Sequence, residues 1–139
     1  MRRARAALAG AVAAIVWGAV EPLDMRLFRN DYSDVAMLGK LVTRTRAWPL
    51  AGFAIHATNG ALFGLAADEL ARRTGASPRR VAPALALVEN VVLFPLAYVV
   101  DREHPARGEP GVAPFFTPRG LAQETLRHAV FGVVLGRLI

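Results

Sequence analysis

Five ionisable side chains sit inside stretches that are otherwise apolar: His56, Glu89, Glu124, Arg127 and His128. Asn59 and Asn90 stand close to them in the chain. Such groups are costly inside apolar spans and by default point to function. Glu124 and His128 are four residues apart, which places them on one face of a helix, and Arg127, three from Glu124, can reach it. If all five share one interior, two carboxylates face one guanidinium. The excess negative charge is then relieved by a protonated histidine, a protonated glutamate or a bound cation.

Three chemistries fit this set. In the first, Glu89 or Glu124 pairs with Arg127, the histidines and asparagines bond across helices, and the network fixes packing. In the second, His56 and His128 are axial ligands of a haem, or hold a divalent metal together with Glu124 and Glu89. In the third, Glu89, Glu124 and the histidines relay ions or protons. The first is the expectation, with the second and third as alternatives.

The elements that must position these groups carry a pattern of their own. Residues 56–64 read HATNGALFG and residues 128–136 read HAVFGVVLG, an offset of 72. On helices, His56, Gly60 and Gly64 form one stripe and His128, Gly132 and Gly136 another. Ala6, Gly10, Ala14 and Gly18 form a third. Small residues four apart let helix backbones approach closely in a bilayer. The offset suggests two helix hairpins related as a parallel repeat, against coincidence in a chain rich in glycine and alanine.

Composition agrees with a bilayer. Hydrophobic residues make up 54% of the chain and charged ones 20%, so the polar surface of a soluble domain is scarce. With no cysteine there is no disulfide, thiolate metal site or cysteine nucleophile. The net charge of +6 comes from scattered arginines rather than an aromatic-interleaved basic face, so lipid headgroups rather than nucleic acid are the expected counterions.

A single integral membrane domain is expected over residues 1–139, an all-α bundle of four transmembrane helices at about 6–22, 49–69, 80–100 and 119–138. The first span competes with a cleaved signal peptide, but no A-x-A site follows its apolar core. Asp34 is expected to cap a short interfacial helix, with Val35, Leu38 and Leu41 facing the membrane and Lys40 facing water. Pro95 is a candidate kink in the third span. Arginines crowd the termini and the short hairpin around Gly75, which places both termini in the cytoplasm under the positive-inside rule. His56 and His128 then lie roughly 12 to 14 Å below the outer boundary, on helices expected to run side by side.

Other motifs are weaker. Asp101 and His104 suggest a surface metal or acid–base pair, with Glu21 and Asp24 meeting them at the rim, although a solvated turn explains them as well. Ser33 and Ser77 have no triad partners, and no P-loop, dinucleotide fingerprint or H-E-x-x-H is present, so the reading leans away from an enzyme. The segments EPLDMRLF, NDYSDVAMLGKLVTR, H-x-x-N-G-A-L-F-G, VDREHPAR and RHAVFG resemble a group of uncharacterised small four-span membrane proteins of high-GC bacteria. The resemblance covers nearly the whole chain. It implies the topology and a bacterial cytoplasmic membrane, and brings no activity or catalytic residue with it. The expectation is therefore a structural or interaction protein, oligomeric or partnered because it has small-residue stripes to spare, with no cofactor.

Overall fold

A computed structural model of residues 1–139 contains six helices and no strand: α1 Arg2–Phe28, α2 Asp34–Val42, α3 Trp48–Thr74, α4 Pro78–Leu93, α5 Leu96–Glu103 and α6 Pro118–Leu138. Helices α1 and α3 are long and apolar enough to cross a membrane. The pair α4–α5, bent by 55°, makes a third crossing if it counts as one broken span. These helices point to membrane association.

The distribution of side chains agrees. Eleven of the eighteen buried apolar residues are alanine, while large residues such as Leu8, Val12, Leu62, Val91, Val92 and Val133 are exposed. A water-soluble chain would bury the leucines and valines. Here small residues make the helix contacts and the large ones face outward.

Glycines set those contacts. A Cβ at Gly60 would fall on the carbonyl oxygen of Gly10, and one at Gly64 on that of Ala6, so the α3 stripe lies against the α1 stripe. Gly132 and Gly136 lie instead against Pro83 and Pro78 of α4. Further along α1, Gly18 abuts Val35, Phe53 and His56. All three stripes are thus occupied within one chain. The two histidine helices do not run side by side as expected: α3 packs on α1 and α6 on α4, and the bundle is joined chiefly through α1 against α6. Helices α3 and α6 meet through the edge-to-face pair Phe63–Phe131, ring centroids 5.3 Å apart.

Two element boundaries differ from expectation, while the third span bends at Pro95 as its sequence suggests. The first helix does not end near residue 22 but runs through Pro22 to Phe28. A proline inside a helix costs about 3 kcal/mol, which the charged hydrogen bonds made by the turn around it can offset. The third span is broken at Phe94–Pro95, because proline has no N–H to give the preceding turn. Ser33, not Asp34, caps α2, its hydroxyl accepting from the Ala36 N–H.

Helix α2 does not leave Lys40 in water. Its ammonium is buried, donating to the Pro110 carbonyl at 2.7 Å, pairing with Glu109 at 3.4 Å and lying over the Trp48 ring. The reason is that the two long connections fold onto each other at the end of the helices away from the termini. Ser33 N–H donates to the Gly111 carbonyl and Ala113 N–H to that of Asp31, while Tyr32 stacks on Phe115 with centroids 4.0 Å apart. At the opposite end Arg2 pairs with Asp68 of α3 at 3.0 Å.

Candidate functional site

Arg127 is the centre of the polar interior. Its side chain is 2% exposed and all five of its N–H groups are used. Nε and Nη2 form a fork onto the two oxygens of Asp24, at 3.0 and 2.7 Å. Nη1 donates to Asp34 and to Glu124, both at 3.1 Å, and Nη2 also donates to the Tyr32 carbonyl at 2.8 Å. The guanidinium lies over the rings of Tyr32 and Trp17, as a weakly hydrated planar cation favours.

The carboxylates around it are held in turn. Glu21 accepts from the Asp34 N–H at 2.9 Å and from the Ser33 hydroxyl, so it anchors the first turn of α2 to α1. Asn30 donates to Gln123 at 2.8 Å, and Gln123 donates to Asp24 at 2.5 Å. Burial alone would push the Asp34 carboxyl up. The Arg127 guanidinium, with His56, the Tyr32 hydroxyl and His128 adding to it, outweighs burial and holds Asp34 below the ordinary carboxylate value. The Tyr32 hydroxyl is pushed well above its usual value by burial first and then by the charges of Asp34 and Glu124, so it stays a donor. One side chain of α6 therefore ties together α1, α2 and the start of the first long connection.

Beside this hub lies a cavity of about 320 Å³. All seven polar residues of the cluster expected from the sequence line it: His56 and Asn59 from α3, Glu89 and Asn90 from α4, and Glu124, Arg127 and His128 from α6. They differ in what they have left to give. Asn90 is spent on Thr125 at 3.0 Å. His128 Nδ1 donates to the Glu124 carbonyl at 2.8 Å, which leaves its Nε2 facing the Glu89 carboxylate at 3.8 Å, beyond hydrogen-bond reach. Nε2 of His56 is buried without a partner, as is Trp17 Nε1. The histidine and carboxylate groups do not assemble into any set of three or more that could hold a metal ion.

The secondary candidates go elsewhere. Asp101 accepts from the backbone N–H groups of Phe115 and Phe116. Buried His104 accepts at Nδ1 from Ala106 N–H, which fixes its proton on Nε2 as donor to the Met37 carbonyl at 2.9 Å. Glu21 and Asp24 meet Arg127 rather than these two. Sequence reading missed Glu21, Asp24, Asp34, Tyr32 and Gln123 as members of the hub. A usable signal existed: Trp17, Glu21 and Asp24 fall at i, i+4 and i+7, one face of a helix that continues through Pro22.

Compared with known proteins, the chain matches no family model, and no curated protein or solved structure shows significant similarity to it.

Proposed function

We propose that this chain is a four-span integral membrane protein with a non-enzymatic, structural or interaction role, in which α6 and the broken α4–α5 pair complete a bundle with α1 and α3. Both termini and the Gly75 turn lie in the cytoplasm, and the stitched connections form the opposite face. The observation that carries this reading is the saturation of Arg127. A guanidinium with all five donors satisfied inside the protein has none to offer a substrate, and its partners span the elements that need locking.

The natural absence of cysteine makes the test direct. Single cysteines at Ala76 and at Gly108 are probed in intact cells with a membrane-impermeant maleimide. Gly108→Cys labels from outside and Ala76→Cys labels only after permeabilisation, with the protein retained in the membrane after carbonate extraction. Labelling of both from one side, or release by carbonate, overturns the topology.

A cofactor-bearing reading is favoured by one observation, that His56 and His128 line the same cavity. A Soret band or stoichiometric metal in the purified protein supports it, and a colourless, metal-free preparation from cells grown with both removes it.

A further inference from the structure

Of the three carboxylates that line the cavity, Glu89 is the one left without a hydrogen bond, since Asp34 and Glu124 both accept from Arg127. It lies eleven residues into α4, roughly 17 Å along the helix axis. Its side chain is 38% exposed and its ionisable neighbour is His128 at 3.8 Å. A carbonyl cannot donate, so the bond to Glu124 fixes a proton on His128 Nδ1. Nε2 then faces the carboxylate, and with the ring neutral two acceptors meet, a contact that an added positive charge relieves. Arg127 cannot swing over to relieve them, because its donors are used and four carboxylates lie within 3.9 Å of it. The arrangement has room for a positive charge.

What surrounds Glu89 says which kind of charge. The cavity is walled by Phe63, Phe94 and Phe131, aromatic rings of the kind whose faces attract cations. Its lining reaches the surface at Asn59 on α3 and at Leu93 and Leu96 beside the α4–α5 break, so the mouth opens sideways between these helices. On the four-span reading that mouth faces acyl chains. A hydrated metal ion would have to cross hydrocarbon to reach it, whereas a neutral lipid would bury Glu89 unpaired.

We propose that the cavity binds a small lipophilic organic cation, a quaternary ammonium or phosphonium with an aromatic body, entering from the bilayer with Glu89 as its counter-ion. This rests on the membrane reading above. Its volume falls at the lower end of the roughly 300–1,000 Å³ typical of small-molecule sites.

The test is equilibrium dialysis of the purified full-length protein in detergent against tetraphenylphosphonium and, separately, the uncharged triphenylphosphine oxide. The phosphonium binds saturably, one per chain, and the neutral compound binds about tenfold or more weakly, the size of a desolvated cation–π and ion-pair contribution. Glu89→Gln loses a similar factor without a change in melting temperature, and Glu89→Asp keeps binding. Equal binding of the two compounds, undiminished binding by a folded Glu89→Gln protein, or no saturable binding by the folded wild type overturns the proposal. In the last case a chain that still passes the maleimide test keeps its topology, so the two readings fail separately.

Discussion

Helices α1 and α3 on one side, and α4 and α6 on the other, use the same device to opposite ends. In the first pair glycine meets glycine, two unbroken 27-residue helices touch backbone to backbone, and few large side chains intervene. In the second, glycines of α6 rest against prolines of α4, the partner helix breaks at Phe94–Pro95, and Glu89, Glu124 and Arg127 all reside there. The first pair is a clamp whose outer side, at Trp17, His56, Asn59 and Phe63, forms one wall of the cavity. The second trades contact for a bend, and the bend brings Ala97 and Val100 to the cavity wall. The difference teaches that small-residue stripes decide how closely helices approach, while the break in one partner decides where a cavity opens.

Arg127 joins the two pairs, so its loss breaks the comparison most severely. Arg127→Met leaves Asp24, Asp34 and Glu124 without their cation and lowers stability by about 3–5 kcal/mol, as for a buried pair deprived of one partner. Thermal unfolding in detergent reads this out. Arg127→Lys does not restore it, because a point charge with three donors cannot reproduce a fork. A melt unchanged by Arg127→Met would mean that the pairs hold together without their joint.

The next test sets one pair against the other. Gly60→Ala drives a methyl onto the Gly10 backbone and costs about 1–3 kcal/mol. Gly136→Ala costs less, since its Cβ would meet the Pro78 carbonyl oxygen at 2.9 Å and the Arg79 Cα at 3.0 Å, a shallower overlap with backbone than at Gly60. Equal costs in the same unfolding assay would erase the distinction between clamp and bent pair.

The smallest effect is on pH. Asp34 has a folded-state value below its unfolded one, so its contribution is complete above the ordinary value of 3.8 and is lost as pH falls through the lower folded value. An acid titration of stability shows that limb in the wild type and a shallower one in Asp34→Asn. Tyr32 works in the other direction. Its raised value keeps its contribution intact below the ordinary value of 10.0 and removes it as pH climbs beyond.

Much of the interior was legible because costly residues in apolar stretches have few places to go. Seven polar residues chosen from the sequence line one cavity, although α3 and α6 meet through Phe63 and Phe131 and not stripe to stripe. The partners of Arg127 were not legible. Asp24 and Glu21 followed an apolar run and preceded a polar connection, and Pro22 marked a plausible helix end. Lys40 likewise had the position of a solvated residue on a short amphipathic helix, yet the connection around Pro110 folds over it.

Composition and spacing alone determined the all-α character, the apolar helices and the stripes, because these depend on periodicity and on the energy of each residue in its own surroundings. Only the tertiary structure decided which stripe meets which partner, that four carboxylates converge on one arginine and that Glu89 is left over. Those outcomes depend on groups up to 103 residues apart sharing one small volume, and charge balance there is a property of the set, not of any segment.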